Sequence, residues 1–113
     1  MYAVLACGGE LDGVRLVSPG RIPQMRRLMT NDVDRVLGTP VPKGVGFFLG
    51  GAGAMGPRST AFGHPGAGGS IGFCDPEVGL SVGVATNTMA QTLPGEGATD
   101  EICNLIRTEL GIA

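Results

Sequence analysis

The only histidine of the chain, His64, and the serine at position 70 bracket a glycine-rich stretch, His64-Pro65-Gly66-Ala67-Gly68-Gly69-Ser70. Acyl transfer through a serine needs a nucleophile, a base within hydrogen-bond reach and donors aimed at the developing oxyanion. Gly68-Gly69-Ser70-Ile71-Gly72 satisfies the Gly-x-Ser-x-Gly pattern of a nucleophile elbow. That elbow requires a strand before the serine, a helix after it, and the catalytic acid and histidine further along the chain. Here Ile71-Gly72-Phe73 begins a strand and the one histidine precedes the serine. Ser70 is therefore expected at a strand edge, and an α/β-hydrolase built on Ser70 is the weaker alternative.

Two further groups invite a chemical reading. Gly51-Ala52-Gly53-Ala54-Met55-Gly56 matches Gly-x-Gly-x-x-Gly, but Pro57 and the strand formers behind it oppose the helix that a phosphate site would need. Asp75 and Glu77 flank Pro76 in a turn, where water is expected to solvate both carboxylates. Cys7, Cys74 and Cys103 have none of the paired short spacings of a zinc site. They are expected to be small buried hydrophobes, consistent with a reducing, cytoplasmic setting. No signal peptide is visible at Met1.

Composition narrows the classes further. The chain has 113 residues with 21 glycines and 8 prolines, yet 42% of it is hydrophobic and only 16% charged. Disorder needs the opposite balance, so the glycines are expected in turns and close backbone approaches. A net charge of −2 without a basic stripe, and only one Tyr and four Phe, oppose nucleic-acid binding. No stretch reaches the ~20 apolar residues of a membrane span.

The elements that must position these residues follow from punctuation and periodicity. Met1 to Cys7 reads as the end of a helix stopped by Gly8-Gly9. It lacks an N-cap, so the helix is expected to begin before Met1. Leu11-Asp12-Gly13-Val14 predicts a small hairpin. A helix is predicted over 23–29 with Met25, Leu28 and Met29 turned inward, then a loop over 30–44. Strands are predicted over 45–49, 60–64, 70–74 and 80–86, with 50–56 a flexible connection and 75–79 a hairpin turn. Asn87 closes the last strand as a structural or capping residue. Thr99 is expected to cap a final helix that stops at Gly111, with Ile102, Leu105, Ile106 and Leu110 on its buried face. The pattern describes an antiparallel sheet packed by terminal helices, one core without repeats or internal boundary.

The stretch from Phe62 to Ser70, continued by Ile71 to Cys74, Asp75-Pro76-Glu77-Val78-Gly79-Leu80 and Asn87-Thr88-Met89, resembles the strand-and-loop motif of β-lactamase-related serine hydrolases. The likeness extends back to Tyr2-Ala3-Val4-Leu5 and Gly8-Gly9-Glu10-Leu11-Asp12-Gly13. It is closest to class C β-lactamases and family VIII carboxylesterases, in which a Lys-Thr/Ser-Gly or His-x-Gly triplet ends a strand beside the catalytic serine. Here the triplet is His64-Pro65-Gly66. The resemblance implies an α+β fold in which 1–113 is the C-terminal segment of a single β-lactamase-like domain. It also implies that the Ala67 N–H forms half of the oxyanion hole, and that His64, Gly66 and Ala67 line the pocket for a small-molecule ester.

No metal or organic cofactor is implied. Histidine in place of the triplet lysine, and Pro65 in place of a hydroxyl residue, point toward esters and away from β-lactam carboxylates. The family's Ser-x-x-Lys nucleophile and Tyr-x-Asn element are not found in these 113 residues. On this reading no catalytic nucleophile or base lies in the chain, and the isolated segment is expected to be inactive and to self-associate through an open sheet edge. The alternative is a non-catalytic binding or assembly module of the same fold.

Overall fold

A computed structural model describes residues 1–92 and 95–112. The first helix, α1, spans Tyr2–Ala6 and ends where Gly8 and Gly9 take positive φ. Strands β1 (Glu10–Leu11) and β2 (Val14–Arg15) form the hairpin that Asp12-Gly13 predicts, both turn residues having positive φ. Helix α2 covers Arg21–Met25. A four-stranded antiparallel sheet follows in the order β3 (Phe48–Leu49), β4 (Phe62–Pro65), β5 (Ile71–Asp75), β6 (Leu80–Val84). The chain closes with α3 (Ala98–Glu109). This α+β arrangement is the predicted fold class, with the C-terminal helix packed on the sheet. Among the described residues, no helix is long and apolar enough to cross a membrane.

Alternation along the strands divides the core between two faces. Ile71, Phe73, Leu80 and Val82 pack with Met55 and Cys103 on the α3 side. Phe62 and Cys74 pack with Leu5, Ala6 and Ile22 on the side of α1 and α2. An edge-to-face aromatic run strengthens that second cluster, with Phe47 5.1 Å from Phe62 and 6.3 Å from Tyr2. Gly72 is required here, because a Cβ on it would collide with the Tyr2 ring.

Several boundaries differ from the sequence reading, each for a local reason. Helix α2 starts two residues earlier than predicted because Pro23 falls in its first turn, where a missing N–H costs nothing. It stops after Met25, so Leu28 and Met29 are exposed instead of buried. Met29 N–H instead bonds the Lys43 carbonyl at 2.8 Å, which begins a bridged loop with Thr30 opposite Lys43 and Val33 opposite Pro40. The 45–49 strand shrinks to Phe48–Leu49, since Gly46 takes a φ of 79° that extended backbone excludes and Val45 faces solvent. The 50–56 connection is no loose linker: it contains a 3-10 turn, Gly53–Met55, that buries Met55. Asn87 lies three residues beyond the end of β6 and is exposed.

The last helix is rotated relative to its apolar stripe. Gly97, and not Thr99, is the N-cap, and its N–H is accepted by the Asp100 carboxylate at 3.3 Å. The face toward the sheet carries Thr99, Cys103 and Arg107, while Ile102, Leu105 and Leu110 are exposed and Ile106 is partly buried. Arg107 donates to the Ala54 carbonyl at 2.6 Å and to the Asn104 side chain. Its guanidinium fills the space beside Gly56, where a Cβ would lie 2.7 Å from it. That anchoring outweighs burial of the outer leucines.

Two further expectations fail on burial. Cys74 and Cys103 are buried, but Cys7 is exposed at the end of α1. Asp75 is not a solvated turn residue: it ends β5 opposite Leu80 at 2% exposure, with Arg58 Nε 2.6 Å from its carboxylate. Glu77 is exposed and pairs with Arg26 at 3.3 Å and Arg58 at 3.6 Å. Removing the guanidinium would strand a buried charge, so Arg58→Met is expected to destabilise the fold by roughly 2–3 kcal/mol. Glu77→Gln, on the exposed side of the network, should cost under about 1 kcal/mol. Urea midpoints of the two variants test this, and equal losses would contradict it.

Burial pushes the Cys74 thiol up to about 12 from an ordinary 9.0, with the Asp75 carboxylate adding to the shift. The unfolded thiol ionises first, so this contribution to stability is intact below pH ~9 and declines as pH rises toward 12. Thiol titration at pH 8 should therefore find Cys7 reactive in the native protein and all three cysteines only after denaturation; rapid native labelling of Cys74 would contradict its burial.

Candidate functional site

Strand β4 creates the site because its two edges are unequally covered. On one side β5 pairs with it throughout, from Phe62 opposite Cys74 to Pro65 opposite Ile71. On the other, β3 reaches only Phe62 and Gly63. From His64 onward that edge has no strand partner among the described residues, so its backbone groups remain available to an extended ligand.

The His64 side chain is exposed and oriented by two contacts. Its ring lies 4.5 Å from the Phe48 ring, tilted by 45°. Its Nδ1 is 2.8 Å from the Pro65 carbonyl oxygen. A carbonyl only accepts, so Nδ1 carries a hydrogen and Nε2 of the neutral ring keeps the free lone pair. Beneath this strand, Tyr2 lies against Gly72, the residue opposite His64. Burial raises the Tyr2 phenol pKa, the Cys74 thiol adds to the rise, and a hydrogen bond with the His64 backbone opposes it.

A shallow pocket of about 230 Å³ opens beside the imidazole, lined by Lys43, Gly44, Gly46, Phe47, Phe48 and His64. The Lys43 ammonium sits 5.4 Å from the centroid of the Phe48 ring. It also pairs with Asp34, whose carboxylate accepts the N–H groups of Val36 and Leu37 at 2.8 Å each. The Lys43 hydrogen bond, helped by those two N–H groups, holds the Asp34 carboxyl at about 2. The pair is therefore ionised at neutral pH, and the pocket presents aromatic walls with a cation already matched by an anion.

Beyond Pro65 the chain turns tightly before β5. Gly66 N–H donates to the Ser70 carbonyl at 2.6 Å, and Gly69 N–H to the Gly66 carbonyl at 3.3 Å. The N–H of exposed Ala67 has no acceptor among the described residues. His64, Gly66 and Ala67 thus lie along one open edge and its turn. Ser70 stands at the other end of this turn, where its Oγ accepts the Thr86 N–H at 3.1 Å, and β5 follows it in place of the helix that a nucleophile elbow requires. Asp75 and Glu77 belong to the Arg58 network at the other end of β5. No group of three or more His, Cys, Asp or Glu side chains suited to a metal occurs among the described residues.

Sequence reasoning missed Lys43, Phe48 and Thr86, and it gave Thr99 only a capping role, whereas the Thr99 hydroxyl donates to the Gly69 carbonyl. Each reaches the site from a distant part of the chain. Only the apolar run ending at Leu49 hinted that Phe48 would neighbour the histidine.

The β-lactamase family model matches residues 1–102. An esterase/beta-lactamase of Mycobacterium tuberculosis, LipL, is 37% identical over 95 residues, which cover 82% of this chain and 21% of LipL. The crystal structure of a family VIII carboxylesterase matches 90% of this chain and 29% of its own length, with a TM-score of 0.77 and 36% identity. A penicillin-binding protein homologue from Caulobacter crescentus gives a TM-score of 0.82 at 33% identity over 90% of this chain and 28% of that one. The chain thus spans about a fifth of the curated relative and under a third of the two solved chains. With the family pattern running through residues 1–102 and the same sheet found in solved relatives, the chain belongs to the β-lactamase family.

Proposed function

We propose that residues 1–113 form the C-terminal part of a serine hydrolase that cleaves carboxylic esters through an acyl-enzyme. The observation that carries this reading is the bare edge of β4, where His64 stands beside a pocket and the Ala67 N–H lacks an acceptor. A tetrahedral intermediate of acyl transfer needs such a donor, fixed before the charge develops. In this reaction a serine from a Ser-x-x-Lys element outside these residues attacks the ester carbonyl. The Ser Oγ–C bond forms, Ala67 N–H donates to the oxyanion, and the alkoxide departs with the proton taken from the serine. Water then adds to the acyl-enzyme and releases the acid.

His64 flanks the acyl pocket, with Nε2 available to take and return a proton. Gly66 brings the backbone close to the substrate without a side chain in the way. The walls of Phe47 and Phe48 favour an apolar acyl or alcohol group, and Lys43 is neutralised by Asp34, so the pocket suits neutral esters. The likeness to the esterase/beta-lactamase LipL and to a family VIII carboxylesterase supports the same reading.

Hydrolysis of p-nitrophenyl esters is the test. The 113-residue chain alone should give no burst and no adduct with a fluorophosphonate probe, at Ser70 or elsewhere. An enzyme in which the segment follows a Ser-x-x-Lys and Tyr-x-Asn portion should hydrolyse the ester and accept the probe on the serine of Ser-x-x-Lys. Ala67→Pro, which deletes the N–H, should lower kcat there by about 100-fold or more. His64→Ala should lower kcat/KM by roughly 10- to 100-fold. Labelling of Ser70, or full activity in Ala67→Pro, would overturn the reading.

A further inference from the structure

The turn that carries Ala67 contains Gly66, Gly68 and Gly69, and Gly69 has a φ of 105°. Such a segment has soft dihedrals and no side chains of its own to fix it. Its order must come from outside, and the hydrogen bonds show the source. The Thr99 hydroxyl, buried in the first turn of α3, donates to the Gly69 carbonyl at 2.6 Å. Gly69 N–H in turn donates to the Gly66 carbonyl at 3.3 Å. That carbonyl and the Ala67 N–H belong to the same planar peptide unit, so orienting one orients the other. The plane that carries this Gly69 N–H is held at its Gly68 carbonyl by Ala90 N–H at 3.2 Å and Thr86 Oγ1 at 3.4 Å, while Thr99 holds the next plane at the Gly69 carbonyl, so the two sets of contacts together pin the Gly69 Cα between them.

We propose that Thr99 is a positioning residue for ester cleavage, aligning the Ala67 N–H through Gly69 and the Gly66–Ala67 peptide plane. This rests on the assignment of Ala67 as an oxyanion donor. Thr99 touches neither substrate nor reacting atoms. Its hydroxyl couples the start of α3 to the donor, so a change there acts on the barrier and not on substrate binding. Oxyanion stabilisation depends on donor placement already set in the free enzyme, which is why a remote hydroxyl matters for kcat.

The experiment uses the complete hydrolase carrying this segment, with kcat, KM and Tm measured for wild type, Thr99→Val, Thr99→Ser and Ala67→Pro on a p-nitrophenyl ester. Thr99→Val keeps the shape and removes the donor; kcat is expected to fall about 10- to 50-fold with KM within about twofold, a partial version of losing an oxyanion donor. Thr99→Ser keeps the donor and should stay within about threefold of wild type. Should Thr99→Val fail to fold, Thr99→Cys replaces the hydroxyl with a weaker donor, and its kcat should lie below that of Thr99→Ser by roughly threefold or more. Unchanged kcat in Thr99→Val or Thr99→Cys, or a loss in Thr99→Ser as large as in Thr99→Val, would overturn the proposal. If Ala67→Pro abolishes turnover and Thr99→Val does not, only the positioning role fails; if Ala67→Pro is also fully active, the oxyanion assignment fails with it.

Discussion

The antiparallel pairing of β4 with β5 is the constraint on which the rest of the structure depends. Its register, from Phe62 opposite Cys74 to Pro65 opposite Ile71, decides which side chains enter which cluster. A slip of one residue would send Phe73 toward the α1 side and Cys74 toward α3, emptying both cores. The same register places Gly72 opposite His64, and only glycine leaves room there for the Tyr2 ring. The hydrophobic core and the placement of the histidine therefore have one origin.

The site itself arises from incompleteness. Had β3 begun two residues earlier, Phe47 and Gly46 would have stood opposite His64 and Pro65 and closed the edge. Gly46, with its left-handed φ, shortens β3 and at the same time forms part of the pocket lining. The strand thus has a structural half, covered on both sides, and an open half in which backbone polarity stays accessible. The glycine-rich turn continues the open half, and α3 supports it from behind through Thr99.

Much of this was legible in the sequence. The Asp12-Gly13 hairpin, the three longer strands and the final helix all follow from local turn chemistry and alternation, and each lies within two residues of its predicted place. The motif at 64–69 is visible because three glycines and a lone histidine have few bland explanations together. What could not be read were effects of distance. Asp75 looks like a turn residue until Arg58 arrives from seventeen positions away. The apolar stripe of α3 suggested burial of Leu105, but the pairing of Arg107 with Ala54 fixed a different rotation. Helix α2 differs for a local reason: Pro23 marks a helix start in the sequence, but the first turn accepts a proline and the helix begins two residues before it.

The guanidinium of Arg107, lying where a side chain on residue 56 would have to be, makes positions 56 and 107 a single volume shared by two residues. A larger residue at 56 meets two obstacles, the guanidinium and a backbone at φ 81° and ψ −178° that only glycine holds without strain, so shortening position 107 removes the first and leaves the second. The steric part of the cost is shared by the two sites despite the length of chain between them, and the backbone part belongs to position 56 alone. In evolutionary terms the dependence runs one way: position 56 is expected to stay glycine whether or not position 107 keeps its arginine, so its backbone outlasts the side chain that fills the space beside it.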